Sequence, residues 1–511
     1  MIKPNERGEL MQKQSFARGA VVLMAANAVS KILGAAFKIP LTYILHEDGM
    51  AVYNTAFTIY VMFLAFVMSG IPTAVSKKVA QADERSAYLV TDTASKVLFV
   101  LGTAASLLLF FGAPFFAGAM REEKAVWAIR MAAPSVFLVA VGTGYKSFFH
   151  GASSMNIPAV SQVTEAAVKL IAGYALAVMM LNAGKAAAAA GAISGVAVGE
   201  LIATGILAGG YAVSRFKYRV RASHAEKRET MRELLSVAVP LLLAETAMNA
   251  VSVTDTSVLR TRILASGLSV DEGRFLYGAF SGYAMTIFNL PVGILGTIGV
   301  SLLPAAASAA ASGNFAKTWE PVNKGIEMTL FIGLPSAVMM WLIPEDLLNM
   351  LFRSTSAAHM LKYMAPCVVT VSFVLMFSAV IQACGNVSLP PLIETGGFIV
   401  KIIIMWFLCA MPDINIYGAV IGSNVAYLLI MIVEIVVLRH MTGFKILNGG
   451  IILRPAAAAA AMAAAVIWAM PYNTGTVLSV LALCGVGGGV YLGVYGLFIG
   501  NKRLFTRSGV K

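Results

Sequence analysis

Long apolar segments recur along the whole chain, and they limit what it can fold into. Each is about 20 residues or longer, the length that an α-helix needs to cross a membrane. Only 12% of the 511 residues are charged, roughly half the fraction usual in soluble proteins. The sequence therefore predicts an all-α polytopic membrane protein. The fourteen apolar segments lie near residues 18–43, 51–72, 88–113, 126–148, 158–181, 189–212, 234–258, 275–300, 324–344, 361–383, 391–411, 416–438, 451–470 and 476–500.

The basic residues are concentrated in alternate connections between these segments. The run SRFKYRVRASHAEKRETMRE and the tail NKRLFTRSGVK are strongly basic, whereas the loops HEDGMA and MPDINIY contain no lysine or arginine. Cytoplasmic loops hold an excess of lysine and arginine, so we expect both termini to be cytoplasmic. The basic cytoplasmic connections also explain the net charge of +13, so we do not expect nucleic acid to be a partner. The alternative of twelve spans requires the last two segments to lie at the membrane surface, which their apolarity opposes.

The chain repeats itself at an offset of 232 residues. At this offset Pro134 corresponds to Pro366, and Lys169 corresponds to Lys401. The matches predict two homologous six-helix bundles with the same orientation, because six is an even number of spans. Two such bundles are expected to enclose a central cavity that opens to each side in turn. The predicted domains are residues 1–213, a basic cytoplasmic linker at 214–233, residues 234–440, and an appended helix pair with a basic tail at 441–511.

Two lysines interrupt the first apolar segment, NAVSKILGAAFKIPL. Lys31 and Lys38 are seven residues apart, close to two helical turns, so both lie on one face. Lys31 is roughly 20 Å along its helix, beyond the reach of a snorkelling side chain. A cation facing lipid there costs on the order of 3 kcal/mol. We therefore expect Lys31 to face the cavity or a buried carboxylate.

The second half carries a cation at the corresponding place. An offset of 222 residues aligns Lys38 with Arg260 in NAVSVTDTSVLRTRIL. Each half thus has a basic residue in its first helix, and both residues are candidates for substrate binding. The alternative for Lys38 and Arg260 is that their side chains extend to the outer membrane interface.

Acidic residues inside the apolar segments are candidates for ion coupling. Asp255 has no local partner except the neighbourhood of Arg260, so it could change protonation, bind a cation or form a structural salt bridge. Glu165 and Glu394 are further candidates, although Lys169 stands four residues from Glu165 and could neutralise it. Other ionisable residues within the segments include Lys96, Lys146, Glu200, Glu245, Glu327, Lys401 and Glu434.

Enzyme chemistry has little support in this sequence. The motifs HExxH and CxxC are absent, as is a nucleophilic serine motif, and the four cysteines show no metal or disulfide spacing. We expect no catalytic residue, metal site or cofactor. A phosphate-binding GxxxxGK[ST] loop is also absent, so ATP hydrolysis by this chain is not expected.

The first two apolar segments resemble a known family. The pieces SKILG in the first and SGIPTAVSK at the end of the second resemble the polysaccharide-transporter branch of the MATE-like (MOP) flippase superfamily. The similarity is to the group of stage V sporulation protein B and the MurJ-like lipid II flippases, and continues at lower strength to the last segment. Those relatives have fourteen spans, of which the last two form a lipid-binding groove.

The resemblance implies a function in moving lipids across the cytoplasmic membrane. The cargo of such flippases is a glycan joined through a diphosphate to a polyprenyl tail, with lipid II as the first candidate here and teichoic acid or capsule units as alternatives. A basic residue of the family matches Lys31, points into the cavity and is needed for transport. The match of Lys38 is looser. Without ATP hydrolysis, a gradient of Na⁺ or H⁺ or the membrane potential is expected to drive transport.

Three other classes of protein remain as alternatives. A cation-coupled multidrug exporter of the same architecture would favour acidic cavity walls. A glycan polymerase or ligase would need a long outer loop with catalytic residues, and the outer loops here are short. A scaffold without transport activity would leave the buried charges unexplained.

Overall fold

The regular structure of this protein is helical. The computed structural model describes residues 4–68, 70–215, 224–311, 319–386, 388–442 and 449–507, and each element in these ranges is a helix. The predicted all-α fold is confirmed. The described chain forms two compact units, residues 1–257 and 258–511. The predicted domain boundaries at residues 213 and 233 stay predictions, and residues 216–223 of the linker lie outside the described ranges.

The first unit begins with a long helical segment that is broken once. At His46 the backbone leaves the helical region, with φ at 51°, and the break falls in the predicted outer loop HEDGMA. The helices of this unit are α1 (Pro4–Met68), α2 (Ile71–Gln81), α3 (Glu84–Ala119), α4 (Val126–Gly151), α5 (Asn156–Met180), α6 (Lys185–Arg215) and the first part of α7 (His224–Ala265).

The second unit contains the end of α7 and all later helices. Two apolar clusters organise it: one joins the helices that contain Val322, Phe377 and Leu438, and the other holds the last two helices against the preceding ones. The further helices are α8 (Val270–Gly278), α9 (Met285–Ala311), α10 (Trp319–Leu342), α11 (Pro344–Phe352), α12 (Ala358–Ala383), α13 (Leu389–Leu408), α14 (Tyr417–Thr442), α15 (Gly449–Ala469) and α16 (Val477–Arg507).

Twelve helices of the described part are long and apolar enough to cross a membrane. The first of them, Ala25–Ala65, contains the break at His46 and so holds both the first and the second predicted spans. The predicted span 234–258 lies within α7, where the side chains of residues 237–252 lie outside the described part. The twelve candidate spans therefore differ from the fourteen predicted ones in two places: two predicted spans are counted as one helix, and the span 234–258 is not counted.

The helix bounds repeat with the offset found in the sequence. Helices α4 and α12 are both 26 residues long and start 232 residues apart, at Val126 and Ala358. Pro134 and Pro366 therefore stand at the same position within their helices. Helices α6 and α14 start at the same offset, with Lys185 and Tyr417.

A stripe of glycines brings α5 and α6 close together. Gly191, Gly195 and Gly199 recur every four residues on α6, and each backbone approaches α5 so closely that a Cβ atom would clash. A Cβ on Gly191 would lie 2.6 Å from a carbonyl oxygen of α5, and one on Gly195 would overlap the backbone of Gly173. Small residues at this spacing let helix backbones pack closely in membranes. The stripe thereby fixes the distance between α5 and α6.

Substitution of a glycine in this stripe tests the close packing of α5 against α6. We expect Gly195→Ala to lower the free energy of unfolding by about 1–3 kcal/mol, the usual effect of overpacking, because the clash is with backbone atoms. Thermal unfolding of the purified protein in detergent measures this as a lower Tm. Gly205→Ala is the matched control, since a Cβ there meets nothing within 4 Å. Equal Tm values for the two variants would contradict the close α5–α6 approach.

Candidate functional site

A cavity of about 410 Å³ lies within the first unit, between α1, α4, α5 and α6. Its size is in the range of pockets that hold small molecules. Apolar residues of all four helices form part of the wall, and charged and polar side chains form the rest. The charged residues that line it are Lys31, Lys146, Glu165, Lys169 and Glu200.

The predicted residue Lys31 lines this cavity. It lies on α1, one helical turn before Gly34, which also lines the cavity. Lys38 follows two turns later on the same face and is half-buried, but it lies outside the cavity lining. The structure therefore separates the two lysines of the opening helix, because Lys31 borders the cavity and Lys38 does not.

Helix α5 contributes one charged face to the cavity. Gln162, Glu165 and Lys169 follow at spacings of three and four residues, so they share a face, and all three line the cavity. The Lys169 ammonium lies 6.0 Å from the ring centroid of Phe57, within the range of a cation–π contact. The predicted coupling candidate Glu165 thus lines this cavity.

Helices α4 and α6 add two residues that the sequence did not single out. Glu200 on α6 interacts with Glu165, Lys169 and Lys146, and the last of these is on α4. Sequence reasoning placed these residues inside membrane spans but did not join them, because contacts between distant helices cannot be read from periodicity. The one sequence signal for this contact is the small residue Gly199 directly before Glu200, because Gly199 packs against the backbone of Glu165.

Polar contacts between helices fix the shape of the cavity. The Gln162 side chain donates a hydrogen bond of 2.5 Å to Asn27 Oδ1, and Ser30 Oγ donates to the Gln162 carbonyl at 3.2 Å. These bonds hold α1 against α5. On the opposite wall, Thr204 Oγ1 donates to the Leu138 carbonyl at 3.0 Å and connects α6 to α4.

The other predicted cation, Arg260, belongs to the second unit. Its side chain is only 4% exposed and its guanidinium stacks over the Tyr277 ring, 4.9 Å from the centroid. Asp255, the predicted coupling residue, lies half-buried on the same helix, five residues before Arg260. Both side chains make contacts inside the protein.

Glu394, the remaining coupling candidate, meets a second carboxyl group in the second unit. The hydroxyl of Ser378 on α12 lies 2.9 Å from Glu394 Oε1 on α13 and 2.6 Å from Glu434 Oε1 on α14. Neither Ser378 nor Glu434 was a candidate from the sequence. A serine between two helices gives no periodic signal, so only the structure shows this contact.

The fold and the charged cavity together define a class of protein. Helices that cross a membrane around a cavity with several ionisable side chains are those of a multi-pass membrane transporter. A family model described as polysaccharide biosynthesis protein matches residues 16–310, more than half of the chain. The chain therefore belongs to that family. A second model, described as MatE, matches residues 279–407.

Individual proteins that are similar in sequence include two from Bacillus subtilis (strain 168). Stage V sporulation protein B is 26% identical over 440 residues, which cover 83% of each chain. Lipid II flippase MurJ is 22% identical over 462 residues, covering 84% of this chain and 83% of the relative. The solved structure of lipid II flippase MurJ in an inward closed conformation superposes with a TM-score of 0.72 at 13% identity, covering 94% of this chain and 99% of the other. The chain is thus similar, over most of its length, to proteins that are named as membrane flippases.

From the residues that line the cavity we predict which side chains contact water. In a background without the four native cysteines, Lys31→Cys and Lys146→Cys should react with a membrane-impermeant thiosulfonate reagent, because thiols react as thiolates and need water. Ile32→Cys is the matched control. Ile32 is next to Lys31 and 68% exposed, but it does not line the cavity. Equal labelling rates at residues 31 and 32 would contradict a water-filled cavity at this place.

Proposed function

We propose that this protein is a flippase that moves an undecaprenyl-diphosphate-linked glycan precursor from the inner to the outer leaflet of the cytoplasmic membrane. Lipid II is the substrate we put first, and a teichoic acid or capsule unit is the alternative. The cationic cavity of the first unit carries this proposal. The names of the two Bacillus relatives support it, since one is a lipid II flippase.

The charge of the cavity suits a diphosphate. Three ammonium groups and two carboxyl groups line it, so the cavity is net positive even when both carboxyl groups are ionised. A diphosphate that joins a sugar to a lipid is an anion, and charge-assisted hydrogen bonds from lysines stabilise it in a low-dielectric site. A cavity that selected cationic drugs would need the opposite balance. The charge therefore favours the lipid-diphosphate over the multidrug alternative.

Each cavity residue has a chemical role in this proposal. Lys31 donates to the diphosphate, and Lys146 supplies a second cation from the facing helix α4. Glu165 and Glu200 offer acceptors for the hydroxyl or amide groups of the first sugar and keep Lys169 oriented. The volume of about 410 Å³ holds a diphosphate and a small part of a glycan, so we assign to it the diphosphate end of the head group.

Transport also needs a source of energy and a defined orientation. We propose that both termini are cytoplasmic, as the basic connections predict, and that a cation, Na⁺ or H⁺, is coupled to transport. Asp255, Glu165 and Glu394 are the coupling candidates. Lys38 and Arg260 remain candidates for flanking cations of the substrate path.

Substitution of Lys31 tests the proposed role of the cavity. We expect Lys31→Ala to abolish flipping and to weaken precursor binding about ten- to hundredfold, since a charge-assisted hydrogen bond is worth roughly 1.5–3 kcal/mol. Lys31→Arg should retain part of the activity, because the positive charge is kept. Both are measured as flipping of lipid II in proteoliposomes and as binding to the purified protein.

Lys96→Ala is the matched control for this experiment. Lys96 also lies within a membrane span, on α3, but it is exposed and does not line the cavity. Its loss should leave flipping unchanged. Normal flipping by Lys31→Ala would contradict the proposal and would make this amine an anchor of its helix.

Depletion of the protein in its own cell identifies the substrate. The lipid-linked precursor that the protein carries should accumulate on the inner leaflet, and its head group can be read by mass spectrometry. Accumulation of lipid II supports the first assignment, and accumulation of a teichoic acid or capsule unit supports the alternative. Unchanged precursor levels together with increased sensitivity to cationic drugs would favour the multidrug exporter.

A further inference from the structure

One hydroxyl group in the second unit lies between two carboxyl groups. Ser378 Oγ is 2.6 Å from Glu434 Oε1 and 2.9 Å from Glu394 Oε1, and the three residues come from α12, α14 and α13. Both distances are hydrogen-bond lengths, so the three oxygens are in direct contact. We call these three residues the carboxyl–serine cluster.

The number of protons available limits how the cluster can be bonded. A serine hydroxyl has one proton, which can point fully at only one of the two carboxyl oxygens. An ionised carboxylate has no proton and only accepts. Both contacts become full hydrogen bonds when a protonated carboxyl group donates the second one to Ser378 Oγ. The geometry therefore favours a proton on Glu394 or Glu434.

Burial gives a second, independent reason for a proton. Glu434 has no exposed surface, and its second oxygen, Oε2, has no hydrogen-bond partner among the described residues. An ionised carboxylate placed there would lack both water and a counter-charge, which is very unfavourable in an apolar interior. Glu394 is only half-buried, so it is the more accessible of the two carboxyl groups of the cluster.

Several charged groups lie on the helices packed around the cluster. Lys401 lies two turns along α13 from Glu394. On α10, Glu327 accepts a hydrogen bond of 2.6 Å from Tyr495. Arg439 and His440 are exposed at the end of α14. Within the described part of the chain, no ion pair includes Glu394 or Glu434.

We propose that the carboxyl–serine cluster is a proton-binding site that exchanges one proton with water in each transport cycle. On release, the O–H bond of the protonated carboxyl group breaks, its electron pair stays on the carboxylate, and the proton passes to water at Glu394. The Ser378 hydroxyl then donates its proton to a hydrogen bond with one carboxylate. Repulsion between the negative charges of Glu394 and Glu434 destabilises the contact between α13 and α14. The proton site stands on the cluster alone, whereas its link to transport rests on the proposed flippase function.

Infrared spectroscopy tests proton binding without any substrate. The purified protein should show the C=O stretch of a protonated carboxyl group that disappears as the pH is raised, and Glu434→Gln should remove this signal. Glu327→Gln is the matched control, because Glu327 is another carboxyl group of the second unit that is hydrogen-bonded to a hydroxyl, and it should leave the signal in place. If Glu434→Gln does not fold, Glu394→Gln takes its place. A spectrum that Glu434→Gln and Glu394→Gln leave unchanged would overturn the proposal.

Transport in proteoliposomes tests coupling. Flipping of lipid II by the unaltered protein should change when a pH gradient is imposed, and Glu434→Gln, which imitates a permanently protonated side chain, should lose this response. Ser378→Ala should weaken it, whereas Ser372→Ala, on the same helix, should not, since Ser372 Oγ donates to the Val368 carbonyl of its own helix.

The outcomes separate the two proposals. A normal pH response in Glu434→Gln would make the cluster a structural contact, and flipping driven by a Na⁺ gradient but not by a pH gradient would contradict the assignment to a proton. If the infrared signal behaves as expected but no lipid II is flipped, the proton site stands and the assigned substrate fails.

Discussion

The high cost of placing a charge in hydrocarbon shapes this protein more than any other constraint. A charged side chain within a membrane span must border water, meet an opposite charge or lose its own charge. The two units solve this problem differently. In the first unit, Lys31, Lys146 and Lys169 border a cavity together with two carboxyl groups. In the second, Glu394 and Glu434 both contact the hydroxyl of Ser378, an arrangement that favours a shared proton.

Close helix packing gives both arrangements their geometry. On α6 the glycine stripe lets the backbone approach α5, and this places Glu200 beside Glu165. On α14, Gly418 and Gly422 have the same spacing and approach the backbone of α13 in the same way. Gly191 and Gly195 lie in the segment GAISG, and Gly418 and Gly422 lie in the similar segment GAVIG, so each segment provides a small-residue face for helix packing. Larger residues at these positions would separate the helices that carry the ionisable groups.

Much of the fold could be predicted from the sequence, because it depends on local patterns. The apolar segments predicted the helices. The 232-residue offset between Pro134 and Pro366 matches the equal lengths of α4 and α12 and the offset between their first residues. Lys31 was found because its depth in a span is itself a signal. The partners of these residues were not found. Lys146 and Ser378 meet their neighbours across helices that are distant in the sequence, and neither depth nor spacing reveals such a contact.

The central claim is that the cavity of the first unit binds the diphosphate of a lipid-linked precursor. A structure determined with bound lipid II tests it most directly. The account predicts phosphate density in this cavity, with a phosphate oxygen about 2.7–2.9 Å from Lys31 Nζ, the length of a charge-assisted hydrogen bond. Phosphate density away from α1, with the Lys31 ammonium making no contact to the ligand, would contradict it.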